Sequence, residues 1–195
     1  MLDEIRRKRE QAILDGEPVL RRQSFEILLE KIREKKPERI LEIGVNLGYS
    51  GIAMLLSCET SHLTGIEIDE EKIALAKENY QKFGVSDRAK IFQGDASEIL
   101  PVLTGEYDFI FLDGPKGHYH EYLQSILPIL KKGGILFADN VLFRGYVDGK
   151  VKTPKRFNTT KNSMSRFIKA ITEDKNLKSE VIDLEDGISI TEKLV

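Results

Sequence analysis

Cysteine is nearly absent. Cys58 is the only one in 195 residues, so the chain holds no internal disulfide and no thiolate zinc cluster. No apolar run approaches the roughly 20 residues that a membrane-spanning helix needs. The opening segment MLDEIRRKREQ is charged and lacks the apolar stretch of a secretory signal. Neither charge sign dominates: 30 Lys/Arg stand against 32 Asp/Glu, a formal net of −2, which gives no global nucleic-acid signature. Repeats, low-complexity tracts and linkers are missing too. A cytoplasmic globular chain fits these absences. With 41% hydrophobic and 32% charged residues, it is expected to form one domain with a sizeable core.

What is present is an alternation of short apolar runs with helical patterns. Two helices are expected over 3–15 and 19–35, split at Glu17-Pro18, because proline is tolerated near a helix start. Strands are expected over 39–45, 62–69, 89–94, 107–113 and 133–139. Helices are expected over 49–58, 70–84, 118–130 and 159–175, with a short one after Gly94. Strands alternating with helices argue for an α/β fold, a parallel sheet covered on both faces. The final stretch LKSEVIDLEDGISITEK has two alternating runs around Asp186-Gly187, a hairpin signal. A seven-stranded, mostly parallel sheet with a C-terminal antiparallel hairpin results, in a single domain of N-terminal helices (1–36) and a core (37–195).

Ligands of such sheets bind beyond the carboxyl ends of the strands. In LEIGVNLGYS, Glu42 ends the first strand, and Gly44 and Gly48 bracket a turn into a helix whose free N–H groups suit an anion. A plain strand-to-helix turn would use the same two glycines. The full G-x-G-x-x-G of dinucleotide proteins is missing. Glu67 ends the second strand, 23 residues after Gly44, and is placed to accept both hydroxyls of a ribose; Asp69 competes but suits a helix cap. In QGDAS, Asp95 either caps the next helix or touches an adenine edge, with Ala96 adding backbone contact.

Strands four and five end on Asp113 and on Asp139-Asn140. Neighbouring strands lie about 5 Å apart, so two carboxylates and an amide oxygen can converge. Such hard donors suit Mg²⁺, Mn²⁺ or Ca²⁺ rather than zinc. Three polar loop residues bonded to backbone would read the same way. Lys116, three residues beyond Asp113, is a candidate base if a nearby cation lowers its pKa; alone it would be a solvated lysine. His118 and His120 are weaker proton-transfer candidates. Residues 144–161 hold six Lys/Arg against one Asp, a local excess of positive charge.

LEIGVNLGYS, GIEID, FLDGPKGHY and FADNV, in this order and spacing, resemble the cation-dependent O-methyltransferases that include catechol and caffeoyl-CoA O-methyltransferases, over about residues 36–195. The resemblance implies a class I methyltransferase Rossmann-like fold, S-adenosylmethionine as methyl donor and a divalent cation. It implies Glu67 on ribose, Gly44, Asn46 and Ser50 (with Glu42, Gly48 and Tyr49 of the same motif) on the methionine side, and Gly94, Asp95 and Ala96 on adenine. Asp113, Asp139 and Asn140 match the metal ligands, Asp113 also neighbouring the cofactor, and Lys116 matches the catalytic lysine. Pro115 stands where relatives often carry alanine, but the Asp-to-Lys spacing is kept.

Within the family, DNVLFRGYV followed by PKRFNTTKNSMSRF is similar to the bacterial branch that methylates 5-hydroxyuridine at the tRNA wobble position. That implies a tRNA anticodon loop as partner. Arg144, Lys155 and Arg156 would take phosphates, and Phe143 or Tyr146 would stack on the base. A small catechol-like or hydroxylated acyl acceptor, a non-catalytic cofactor-binding module, and a nicotinamide oxidoreductase are the competing expectations. Relatives are commonly dimers, so a homodimer is expected by analogy.

Overall fold

The computed structural model describes residues 1–195. Its apolar runs become β1 (Arg39–Ile43), β2 (His62–Glu67), β3 (Ala89–Gln93), β4 (Tyr107–Leu112) and β5 (Leu130–Asp139), which pair in parallel. β6 (Leu177–Ile182) and β7 (Ile188–Lys193) form an antiparallel hairpin, and β7 docks antiparallel on β5. The order across the sheet is β3-β2-β1-β4-β5-β7-β6.

Strand residues alternate between faces, and the helices divide accordingly. Ile40, Phe109, Phe111 and Phe137 pack under α1 (Leu2–Leu14), α2 (Arg22–Lys35), α3 (Tyr49–Ser57) and α4 (Glu70–Lys82). Leu41, Ile43, Ile110, Leu112 and Leu136 pack under α5 (Ala96–Ile99), α6 (Tyr119–Ile129) and α7 (Asn158–Glu173). Each fully buried Leu, Ile or Phe contributes about 1.5–3 kcal/mol, so these central strands anchor the sandwich.

Register fixes where the strands stop. Ile66 pairs with Ile43, Ile43 with Leu112, and Leu112 with Ala138. The residues that follow, Glu67, Gly44, Asp113 and Asp139, therefore stand in one row along the carboxyl edge.

Two boundaries differ from the sequence reading by three residues, the others by less. β5 begins at Leu130, three residues early, because Tyr107 pairs with Leu130 before a register shift brings Phe109 opposite Ile135. The second helix begins at Arg22, not residue 19. Its cap comes from across the chain: the Glu185 carboxylate accepts from the Gln23 amide (3.2 Å), the Ser24 amide (3.1 Å) and the Ser24 hydroxyl (2.7 Å). Residues 15–21 form an elbow between α1 and α2. Buried Arg9 donates to the carbonyls of Leu20 and Arg21 and lies 3.5 Å over the Phe25 ring, and burial lowers its pKa to about 10.

A lost cap costs about 1 kcal/mol. Glu185→Ala is therefore expected to lower the melting temperature by roughly 2–4 °C, as for a chain of this size. An unchanged melting curve would show that solvent caps α2 equally well.

Candidate functional site

The row of strand ends floors a cleft of about 760 Å³. Gly44 lets the floor close up. Its φ is +90°, and a Cβ there would lie 2.5 Å from the Asp113 carbonyl oxygen, so a side chain would be strained and would also push β1 from β4.

Glu67 is fixed by backbone. Its Oε2 accepts from the Asn46 amide (2.9 Å), and its Oε1 from the amides of Ile68 (2.9 Å) and Asp69 (3.1 Å). Asp69 accepts from the amides of Glu71 and Lys72 and is the cap of α4. Asp95 caps α5 through the Ser97 amide (2.8 Å) and also lines a side pocket of about 60 Å³ with Ile66, Ile68, Ala96, Pro115 and Tyr122. The cap is thus made, and the same residue borders a pocket. A third recess of about 20 Å³ holds Asn46, Tyr49 and Ser50. Gly44 borders all three spaces, which suits one extended ligand with a flat apolar end, a polar middle and a small polar end.

Asp113, Lys116, Asp139 and Asn140 line the main cleft together. Lys116 Nζ donates to Asp113 Oδ1 at 2.6 Å. Burial pulls the Lys116 pKa down, but Asp113, Tyr119 and Asp139 outweigh it, so the ammonium is held above its ordinary range. The nearest charges are carboxylates, and the lowered value that a base would need depends on a cation beside them. Asp139 is 3% exposed; burial first, and then Asp113, push its pKa up to about 8 despite Lys116. Two adjacent carboxylates therefore share one lysine. No group of three or more His, Cys, Asp or Glu side chains exists anywhere that could hold a metal ion. A cation here would rest on two carboxylates, the Asn140 amide and solvent, and it would draw Asp139 into the charged form that burial and Asp113 disfavour.

Several expected residues stand elsewhere. Glu42 shares a strand face with Ile40, so its carboxyl points under α3 and α4 rather than into the cleft. It is fully buried beside Gly51 and the Tyr80 hydroxyl without a well-formed hydrogen bond, and burial raises its pKa well above normal. Gly48 shapes the turn at the head of α3 (φ +77°) and packs on Tyr80 instead of lining the cavity. Arg144 lines the cleft, whereas Lys155 and Arg156 lie outside it on the surface. Tyr146 is not free to stack on a base: it is buried against Phe157 (5.7 Å) and Phe143 (5.5 Å). His118 Nδ1 sits 2.8 Å from Glu121, and neither His118 nor His120 lines the cleft.

The elbow was missed altogether. Ile13, Glu17, Pro18, Val19 and Arg21 form one wall, and Asp186 of the β6–β7 turn meets them at the lip. Glu17 pairs with Lys72 (2.6 Å), Asn46 Nδ2 donates to the Pro18 carbonyl (3.0 Å), and Arg21 approaches Asp186 (3.7 Å). The only trace in the sequence is Pro18, which marks a break without saying what the break faces.

A family model described as O-methyltransferase matches residues 1–194. A tapetum-specific methyltransferase of Arabidopsis thaliana is 30% identical over 161 residues, 80% of this chain and 69% of its own length. A caffeoyl-CoA O-methyltransferase of Populus kitakamiensis is 30% identical over 165 residues, 80% and 70% of the two chains. Among solved structures, an SAH-bound methyltransferase from Podospora anserina superposes with a TM-score of 0.86 at 28% identity, covering all of this chain and 88% of that one.

Gly44→Ala is expected to cost about 2–4 kcal/mol, from positive-φ strain and the clash with Asp113. Calorimetry should show a melting temperature lower by roughly 10 °C. A loss under 2 °C would mean that β1 and β4 can part without penalty.

Proposed function

The chain belongs to the O-methyltransferase family as an S-adenosylmethionine-dependent enzyme, and from that premise we propose that it methylates 5-hydroxyuridine at the tRNA wobble position with a divalent cation held by Asp113, Asp139 and Asn140. S-adenosylmethionine supplies the methyl group from its sulfonium. Glu67 takes the ribose hydroxyls, the recess of Ile66, Ala96 and Tyr122 takes the adenine, and Asn46 and Ser50 face the methionine end. Six acids and four bases line the main cleft, an acid excess that fits a cationic donor and a metal ion.

The cation would bring two vicinal oxygens of the acceptor together and acidify its hydroxyl. The 5-hydroxyl and 4-carbonyl of hydroxyuridine are such a pair. Lys116 holds its proton because Asp113 faces it. Were Asp113 engaged by a cation, Nζ would lose the partner that keeps it charged; it could then release its proton to solvent and take the hydroxyl proton as a neutral amine, or stay an ammonium and steady the oxyanion. Orientation by the cleft walls supplies much of the remaining acceleration, since well-aligned groups reach effective molarities of about 10⁵ M or more.

The observation that carries the tRNA reading is the basic arm leaving the cleft. Arg144 stands beside Asn140 in the cleft, and Arg144, Lys152, Lys155, Arg156, Lys161 and Arg166 have no acid within ion-pair distance. Arg144 and Arg156 flank the Phe157 ring at 5.7 and 4.7 Å. With Tyr146 buried, stacking on a splayed base falls to Phe143. A small hydroxylated acyl or catechol-like acceptor is the second reading, favoured by the caffeoyl-CoA activity in a relative's name. On either reading a second copy of the chain could cover Met1 and Leu14, apolar and exposed on or beside α1.

Labelled S-adenosylmethionine offered with hydroxyuridine-bearing tRNA and with a catechol, in Mg²⁺ or in EDTA, tests the proposal. Metal-dependent labelling of tRNA is expected. Labelling of catechol alone would keep the chemistry and discard the RNA; EDTA-resistant transfer would discard the cation.

Loss of two phosphate contacts in the Arg144→Ala, Arg156→Ala double variant should weaken tRNA binding. It should also flatten the slope of log K against log salt by about 0.7–0.9 per contact. An unchanged slope in filter binding would remove these residues from the tRNA interface.

A further inference from the structure

Tyr119 opens α6 and is fully buried. A buried phenol needs one acceptor; this one faces two. Its hydroxyl donates to the Leu112 carbonyl at 3.0 Å and lies 3.3 Å from the Asp139 carbonyl, a three-centre arrangement. Leu112 is the last residue of β4, and its carbonyl carbon is bonded to the Asp113 nitrogen. Asp139 is the last residue of β5. The β4–β5 ladder itself stops at the Leu112–Ala138 pair, so the phenol adds a rung where the backbone has run out.

The ring has a second contact. Lys116 Nζ lies 5.4 Å from its centroid, within cation–π range, while Phe167 packs edge-on at 5.5 Å from the other helix. Asp113, Lys116 and Tyr119 follow one another at intervals of three, through the tight turn Lys116–His118, so a single local fold brings all three together. One side chain thus touches the peptide ahead of the first carboxylate, the peptide of the second and the lysine between them.

We propose that Tyr119 is a positioning residue whose hydroxyl fixes the separation of Asp113 and Asp139, so that both carboxylates reach one divalent cation, and whose ring keeps Lys116 over Asp113. This rests on the cation site proposed above. Groups that orient metal ligands without touching the metal typically affect affinity by 10–100-fold. Tyr119→Phe keeps the ring and its volume and removes only the rung.

The test is Mn²⁺ titration of the full chain without acceptor, read by electron paramagnetic resonance, alongside calorimetric binding of S-adenosylhomocysteine. Tyr119→Phe is expected to bind Mn²⁺ about tenfold more weakly, with S-adenosylhomocysteine affinity within twofold of wild type. Phe167→Leu, which loosens the packing of the same ring but keeps the hydroxyl, is expected to lower the melting temperature and leave Mn²⁺ affinity unchanged. Wild-type Mn²⁺ affinity in Tyr119→Phe would overturn the proposal. So would a parallel loss of Mn²⁺ and S-adenosylhomocysteine binding in both variants, the mark of a general packing role. A wild-type protein that binds no Mn²⁺ would instead remove the cation site, and this inference with it.

Discussion

The site depends on one property of the sheet: four neighbouring parallel strands end level with one another. The pairs Ile66–Ile43, Ile43–Leu112 and Leu112–Ala138 set that level. A one-residue slip in any of them would turn every side chain of that strand to the opposite face and exchange its buried set for its exposed one. The large apolar residues on both faces make such a slip costly, so the core holds the polar row in place. Glu67, Asp113 and Asp139 need no dedicated scaffold. Glu67 and Asp139 close their strands and Asp113 follows β4 directly, and the core has already fixed where those strands stop.

Level strand ends carry an electrostatic penalty. Carboxylates from adjacent strands are forced together at the lip of a low-dielectric wall, and burial raises Asp139 far above an ordinary carboxylate. Lys116 answers for one charge only, and it is committed to Asp113 at 2.6 Å. A protein selected for stability alone would have an apolar or singly charged group there. Burial and Asp113 favour a proton on Asp139, and a ligand that brings positive charge, as a sulfonium donor does, would favour its release.

Most of this arrangement was legible in the sequence because it is local. Apolar runs that stop on Glu67, Asp113 and Asp139 are visible as text, and so are Gly44 and the Asp186-Gly187 turn. Period and spacing carry that information without any tertiary knowledge. What could not be read depends on partners far away in the chain. The start of α2 is set by Glu185, about 160 residues distant, which no propensity at Pro18 encodes. The Glu42 carboxyl was read as a ligand from its place at a strand end, whereas strand parity sends it under α3. Tyr146 looked like a free aromatic in a basic loop, and only the fold shows that Phe143 and Phe157 enclose it. The direction of the Lys116 pKa likewise follows from which charges surround it, not from its spacing.

The elbow joins the two ends of the chain at the mouth of the cleft, and its attachments are of two strengths. Arg9 is buried, and its Nη2 donates to the carbonyls of Leu20 and Arg21 while its Nε has no partner, so breaking that contact would strand a desolvated charge. The Glu185 cap is similarly made through backbone amides. These hold the α2 side firmly. Toward the tip the ties are partly exposed ion pairs, Glu17–Lys72 and the longer Arg21–Asp186, and pairs of that kind are worth about 0–1 kcal/mol each. The wall is therefore rigid at its root and soft at its rim. The floor of the cleft is set by the sheet, and its rim is set by weak, solvent-screened contacts. Floor and rim thus rest on different parts of the fold, so Arg21, Asp186 and Arg144 can be exchanged at the rim while the strand ends below them stay as they are.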